Sequence, residues 1–311
     1  MLVHQGEQIV RVPQIALFSS FVSIIVAGVI FLWNRWESHI QVNLIETISL
    51  AKSSLPLFLP IFLSKFFIPM GSFALAYFCT ISDVGIFSAI TKILAITTIL
   101  QNLIVSSFYP FLARFLGDST KESFTLSLFF RTSLVTGFFI GGLCLIFSSE
   151  IINAMFGIAY LDASMMLIPL GIFIIVQFVS FTLSRLMPAM GREKEFGRIV
   201  TIGAIVFFVL CLPLAKWFGI VGVILAAFMS ELSIVVYILK KISFKFIWTE
   251  KEKYLKSFFI PVLCIRLTFI LKNAIVINWL FHLIIFTLMY FSGILLLKII
   301  LPREFYSQIF E

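Results

Sequence analysis

Long apolar segments alternate with short polar connectors along nearly the whole chain. A helix that crosses a bilayer needs about 20 predominantly apolar residues, so windows of about 17–25 residues with few charges predict transmembrane helices. The pattern predicts nine such helices, and the eighth is the weakest because Arg266 interrupts it. The nine windows are Ile15–Trp33, Leu55–Ile81, Ile93–Leu112, Thr132–Ser148, Ala163–Ser184, Ile199–Ala215, Phe218–Leu239, Phe258–Leu271 and Ala274–Leu297.

The second window lies in an apolar stretch whose only charge is a lysine. Lys65 stands alone in the 30 residues from Ser53 to Ser82. A helix of that length covers about 45 Å against a hydrocarbon core of about 30 Å, so the stretch is expected to bend. A charge at the centre of a membrane helix costs roughly 2.5–3.5 kcal/mol, and bent helices that bear a charge are typical of transporters. The residues that allow a bend are Pro56, Pro60, Pro69 and Gly71.

Basic residues predict the orientation of the helices. With the connector 34–54 in the cytoplasm, 17 of the 23 lysines and arginines fall on the cytoplasmic side, and the opposite connector Glu150–Asp162 has none. This bias is the one that positive-inside placement predicts. It leaves the amino terminus outside and the carboxyl terminus inside, which suggests that the beginning of a complete transporter is missing. The sixth and seventh windows, separated only by Lys216 and Trp217, predict a tight helical hairpin.

The predicted fold is an all-α polytopic membrane protein with three regions. Residues 1–54 form a short exterior start, one transmembrane helix and a cytoplasmic connector. Residues 55–241 form a six-helix transporter lobe. Residues 242–311 form a basic cytoplasmic loop and two additional transmembrane helices.

Composition excludes several other classes of protein. Hydrophobic residues make up 61% of the chain and charged residues 12%, whereas soluble domains have about 45–50% and about 25%. The net charge of +8 follows from the orientation, so we expect a weak attraction to anionic membrane lipid and no nucleic-acid partner. The four cysteines lie far apart in apolar windows without CxxC or Cys/His spacing, which predicts no metal, disulfide or cofactor.

Polar residues inside the windows recur at helical spacing. Such stripes line a hydrophilic cavity or hydrogen-bond to neighbouring helices, and the spacing alone does not decide between the two. Three stripes together with a buried lysine make the cavity a serious candidate. The stripes are Thr91, Thr98, Asn102 and Ser106; Gln177, Ser180 and Ser184; and Ser54, Lys65 and Ser72.

Two intramembrane charges each allow two interpretations. Lys65 either faces a cavity, where its ammonium group attracts a phosphate, or extends along the helix to an interface. Glu231 is either a coupling residue, since desolvation favours the protonated carboxyl, or a hydrogen-bonded structural group.

Four short segments follow one another in an order and spacing that resemble a known family. They are Asp83–Ile93, which resembles "VGxYSxAxKI"; Ser107–Arg114, "xxYPxxAR"; Phe156–Ser164, "FGxxYxxS"; and Phe218–Glu231, "xGxxGxxxAxxxxE". These are motifs of the O-antigen flippases (Wzx-type), which belong to the MOP exporter superfamily together with the MATE drug exporters and the lipid II flippases. The resemblance covers roughly Ile15–Lys241. In place of the acidic residue that often precedes the first motif's lysine, this chain has Thr91.

The resemblance implies a bacterial inner-membrane protein that moves an undecaprenyl-diphosphate-linked oligosaccharide between leaflets by alternating access. Its carboxyl-terminal lobe and one helix of the first lobe would be present here. The expected partners are the lipid-linked substrate, membrane lipid, and either a separately encoded amino-terminal lobe or glycan polymerase machinery. The substrate-path candidates are Lys65, Ser72, Thr98, Asn102, Gln177 and Ser180, with Glu231 as the coupling candidate.

Three other functions remain open at this stage. A drug or metabolite exporter of the same superfamily would favour acidic cavity residues. A polymerase or ligase of glycan assembly needs a sizeable exterior loop with catalytic groups, and no His/Asp or paired-carboxylate constellation is visible in the short exterior connectors. An inactive remnant is the third.

Overall fold

The fold is known from a computed structural model that describes residues 11–33, 45–50, 58, 62–63, 65–115, 117–241, 251–275 and 278–296. The chain divides into two compact units, Met1–Ser53 and Ser54–Glu311. The first contains α1 (Arg11–Trp33). The second contains α2 (Phe67–Phe78), α3 (Ile81–Arg114), α4 (Ser119–Ile146), α5 (Ser148–Phe156), a 3₁₀ helix (Ile158–Ala163), α6 (Ser164–Ala189), α7 (Glu193–Lys241), α8 (Lys251–Ala274) and α9 (Trp279–Leu296).

The all-helical prediction is confirmed for the described residues. Each of the nine predicted windows overlaps a helix or, in α7, one limb of a helix. Five described helices of the second unit are long and apolar enough to cross a membrane, namely α3, α4, α6, α7 and α8. Shorter apolar helices lie within α1, α2 and α9. The chain is therefore a multi-pass membrane protein.

Two helices begin far earlier than the windows predicted. α3 starts at Ile81 rather than Ile93, and α4 starts at Ser119 rather than Thr132. The reason in α3 is a capping box, in which the Thr80 side chain accepts from the Asp83 N–H and the Asp83 carboxylate accepts from the Thr80 N–H. Hydropathy windows ended at charges, whereas the helices continue until their caps.

α4 begins at an aspartate that serves as its N-cap. The Asp118 carboxylate accepts from the backbone N–H of Thr120 at 3.2 Å and of Lys121 at 3.3 Å. This early start also places Arg131 inside α4, where it is fully buried, instead of in the cytoplasmic connector that the sequence predicted.

The predicted bend before α2 falls at Lys65 itself. The Lys65 N–H donates to the Phe62 carbonyl at 3.0 Å, which closes a turn ahead of the twelve-residue helix α2. Pro69 lies in the first helical turn, where the missing N–H costs little. Lys65 therefore sits at a break in the backbone and not within a continuous helix. Pro56 and Pro60 lie outside the described residues.

The predicted hairpin is confirmed within α7, where its two limbs meet at Gly219. Gly219 has φ 57° and ψ −133°, a conformation that other residues adopt at a cost of about 1–3 kcal/mol. The limbs then run back along each other, since the Ser230 hydroxyl donates to the Gly203 carbonyl at 2.7 Å. A Cβ on Gly222 would lie 1.9 Å from the Leu214 carbonyl oxygen, so the limbs touch backbone to backbone.

Glycines also bring α4 and α6 into close contact. A Cβ at Gly141 would lie 2.7 Å from the Gly171 carbonyl oxygen, and one at Gly171 would lie 2.8 Å from that of Gly141. Small residues let membrane helices approach closely enough for dispersion to hold them together. This contact fixes α6, which carries several of the predicted site residues.

We expect Gly141→Val to destabilise the protein by about 1–3 kcal/mol, because the added methyl groups must displace backbone at this contact. Thermal unfolding in detergent checks this, with Gly28→Ala as the control. A Cβ at Gly28 meets nothing within 4 Å. Equal melting temperatures for Gly141→Val and the parent chain would contradict the prediction.

Candidate substrate cavity

A cavity of about 420 Å³ lies among α2, α3, α6 and α7. Most of its wall is apolar, with Phe67, Phe87, Phe173 and Phe207 among the aromatic contributors. Its volume is within the usual range for sites of small organic groups. The polar and charged side chains of its wall are Lys65, Thr91, Thr98, Asn102, Gln177, Ser184, Arg185 and Glu231.

The structure brings most of the predicted site residues together. The cavity wall includes Lys65 and Glu231 with the polar candidates Thr98, Asn102 and Gln177. Two candidates do not line it. Ser180 is fully buried behind the wall and donates a hydrogen bond to the Glu231 carboxylate. Ser72 is half-buried on α2 and is not part of the wall.

Lys65 enters the cavity near the middle of the lobe. Two residues after it, Phe67 stacks on Phe207 with ring centroids 4.5 Å apart. Phe207 lies halfway along the sixth predicted window, so this contact places the turn at Lys65 far from either end of that window. The Lys65 side chain is exposed rather than packed. The position favours the cavity interpretation over extension to an interface, which lies at the window ends.

The α3 wall is a row of side chains that hydrogen-bond to their own helix. The Thr98 hydroxyl donates to the Leu94 carbonyl at 2.9 Å, and the Asn102 amide donates to the Thr98 carbonyl at 2.9 Å. Thr91 donates in the same way to the Ser88 carbonyl at 2.8 Å. These bonds are made within α3, so none of them joins α3 to a neighbouring helix. Thr98 and Asn102 are exposed, as residues lining an open path would be.

The opposite wall presents oxygen acceptors. Glu231 lines the cavity from the second limb of α7, and Ser180 of α6 holds one of its oxygens. One turn away, the Gln177 side-chain oxygen is buried and has no hydrogen-bond partner among the described residues. A buried acceptor without a donor costs about 1–3 kcal/mol. A bound group with N–H or O–H donors would satisfy it.

Sequence reasoning missed the second cavity cation, Arg185. The topology count placed it in a cytoplasmic connector, but it lies in α6 and lines the cavity. Its guanidinium carbon is 5.0 Å from the Phe181 ring centroid and 5.5 Å from that of Phe196. The signal that identifies it is the spacing of four between Gln177, Phe181 and Arg185, which puts all three on one helix face.

The arrangement of the described helices is a fold that is already known from a solved structure. No protein-family profile matches the sequence, and no curated protein matches it either. Among solved structures, the lipid II flippase MurJ in its inward closed conformation has a TM-score of 0.65 over 92% of this chain, at 16% identity. The match spans 61% of the length of that protein. MurJ is by its name a transporter and not a polymerase or ligase.

Proposed function

We propose that this chain moves a lipid-linked oligosaccharide across the bacterial inner membrane. The substrate would be an undecaprenyl-diphosphate-linked repeat unit of O-antigen or a related surface polysaccharide. The transporter fold supports this proposal at the level of the class. The four O-antigen-flippase-like motifs support the particular substrate.

The observation that carries the proposal is the pairing of two cations with neutral polar groups in one cavity of this fold. A glycan and a diphosphate cannot cross hydrocarbon unaided, since unpaired polar groups there are costly. Lys65 and Arg185 supply positive charge for the diphosphate. Asn102 and Gln177 supply amide groups for the sugars.

Deleting the gene in its host tests the proposal. We expect lipid-linked repeat units to accumulate on the cytoplasmic side and surface polysaccharide to be lost, with both restored by the intact gene. An unchanged lipid-linked pool with normal surface glycan would contradict the function.

We expect Arg185→Gln to reduce flipping about tenfold, because a hydrogen bond to a charged group contributes about 1.5–3 kcal/mol. Arg185→Lys keeps the charge but not the planar guanidinium group, so its flipping rate should fall between those of the parent chain and Arg185→Gln. Transport of a fluorescent lipid-linked sugar into proteoliposomes measures the effect. Arg198→Gln is the matched control, since Arg198 is exposed on α7 and outside the cavity. Equal losses in both variants would show a general effect of charge.

One observation favours a second candidate, a drug or metabolite exporter of the same superfamily. The Glu231 carboxylate lines the cavity and suits a cationic substrate or a coupling ion. Drug sensitivity of the deletion strain with an unchanged glycan pool would select this alternative.

The proposed partner is either a separately encoded amino-terminal lobe or glycan polymerase machinery. The lobe is supported by the match to 61% of the length of MurJ and by the exposure of Thr98, Asn102 and Ser106 on α3. Co-expression of the intact chain with a candidate lobe should raise flipping above that of either alone.

A further inference from the structure

A lysine near the end of α8 makes a polar contact between the last two helices and the rest of the second unit. The Lys272 ammonium group lies 2.7 Å from the Glu150 carboxylate and donates to the Ile146 carbonyl at 2.6 Å. It also lies 5.1 Å from the Phe147 ring centroid. All three contacts fall on the short junction between α4 and α5. The sequence had placed Glu150 and Lys272 on the same outer side, in agreement with this contact.

The other helix of the pair holds the same junction. Phe286 of α9 contacts Phe147, with ring centroids 6.4 Å apart. Farther along α9, the Tyr290 hydroxyl donates to the Val135 carbonyl of α4 at 2.6 Å. The α8–α9 pair therefore packs along α4, and its predicted outer end meets the start of α5.

From this junction, α5 leads directly to the outer end of the cavity wall. Ile152 of α5 is fully buried in the core cluster that also contains the cavity-lining residues Phe87 and Ile90. At the end of α5, the Phe156 ring lies 5.7 Å below the Lys92 ammonium group of α3. The residue before Lys92 is Thr91, which lines the cavity. The Phe156–Lys92 contact thus links the end of α5 to the part of α3 that lines the cavity.

We propose that Lys272 is a positioning residue. Its ion pair with Glu150 latches the α8–α9 pair onto the α4–α5 junction, and thereby holds α5 against α3 and keeps the outer end of the cavity closed. The inference rests on the proposed function in one respect, since a closed outer end is one state of a transport cycle. Opening the latch would accompany release of substrate to the outer leaflet.

The surroundings of the pair make it stronger than an ordinary surface ion pair. The side chains of Lys272 and Glu150 are only 25% and 20% exposed. The second Glu150 oxygen is buried and has no hydrogen-bond partner among the described residues. Removing Lys272 would leave a carboxylate in a desolvated place without its counter-charge, which favours displacement of the junction.

Cysteine accessibility in the full chain tests the latch. Thr91→Cys places a thiol in the outer cavity wall, and its labelling by a membrane-impermeant maleimide is followed in right-side-out vesicles, with the parent chain giving the background of the natural cysteines. Adding Lys272→Gln should raise the labelling rate about tenfold, the change that corresponds to about 1.4 kcal/mol in the opening equilibrium. Glu150→Gln should act in the same direction. No substrate is present, so the result does not depend on the transported molecule.

Two further variants separate a latch from a merely structural contact. Lys272→Arg keeps both the positive charge and the donors for Glu150 and the Ile146 carbonyl, and should retain slow labelling. Arg266→Gln removes a positive charge from the exposed side of the same helix and should leave the rate unchanged. A lowered melting temperature with unchanged labelling in Lys272→Gln would overturn the proposal. Labelling of Lys272→Arg as fast as that of Lys272→Gln would overturn it as well.

Discussion

Lys65→Ala is expected to reduce flipping by about a hundredfold, the largest functional effect of any single substitution in the cavity. The side chain lines the cavity, and the stacking of Phe67 on Phe207 places it far from the ends of the sixth predicted window. Losing a charged hydrogen bond there removes about 3 kcal/mol from the stabilisation of a passing diphosphate. Uptake of a fluorescent lipid-linked sugar by proteoliposomes measures the loss.

Two variants sharpen this test. Lys65→Arg keeps the positive charge and should retain most of the activity. Lys216→Ala removes a lysine that is exposed near the α7 hairpin, outside the cavity, and should behave like the parent. Normal flipping by Lys65→Ala in a chain with its partner lobe would remove Lys65 from the substrate path.

Gly222→Val is expected to prevent correct folding, the largest structural effect of any single substitution. Even the first carbon of a side chain would lie 1.9 Å from the Leu214 carbonyl oxygen and 2.4 Å from the Leu214 carbonyl carbon. Backbone atoms cannot rotate away, so the two limbs of α7 must separate, at a cost of about 4 kcal/mol or more. Since both limbs line the cavity, activity should be lost with the fold.

Size-exclusion chromatography in detergent measures the folded yield. Gly85→Ala is the matched control, because it adds a Cβ to a glycine in α3 with nothing within 4 Å. Alanine also has the higher helix propensity by roughly 0.5–1 kcal/mol, so this control should be neutral or slightly stabilising. A monodisperse peak of normal height for Gly222→Val would contradict the expectation.

In the described part of the chain, the hydropathy pattern predicted the order of the long apolar helices well, because each window must match the thickness of a bilayer. It failed at the ends of α3 and α4. There the helices extend beyond the apolar window to the caps at Thr80 and Asp118, where hydrogen bonds and not hydropathy decide the boundary. The short helix α5 was missed for a different reason. Its nine residues cannot cross a membrane, so no hydropathy window corresponds to it.

The site was predicted in part. The spacing of Thr91, Thr98 and Asn102 found the α3 wall, because residues three, four and seven apart share a helix face. Arg185 was missed because a basic residue at the end of a window is normally counted as a topology signal. The hydrogen bond from Ser180 to Glu231 joins two helices, and the two residues are 51 positions apart in sequence. No local sequence pattern predicts such a contact.

The structure explains why several residues stand in the motif-like segments of the sequence. In the segment that begins at Phe218, Gly219 adopts the backbone conformation that turns the chain. Gly222 then allows the returning limb to touch the first. In the segment that begins at Asp83, the carboxylate starts α3 through its capping box. In the third, Gly157 ends α5 with φ 81° ahead of the 3₁₀ helix.

The self-bonded side chains of α3 have a consequence for what the cavity can distinguish. Because Thr91 and Thr98 already donate to their own backbone, each offers a bound sugar mainly lone pairs, and Asn102, with one N–H used in the same way, offers one further donor beside its carbonyl oxygen. Such a surface would bind a sugar of the proposed substrate only weakly. It would also distinguish little between sugars of different identity. For the proposed lipid-linked substrate, selectivity would then rest on its charged end, and repeat units built from different sugars would share one transporter.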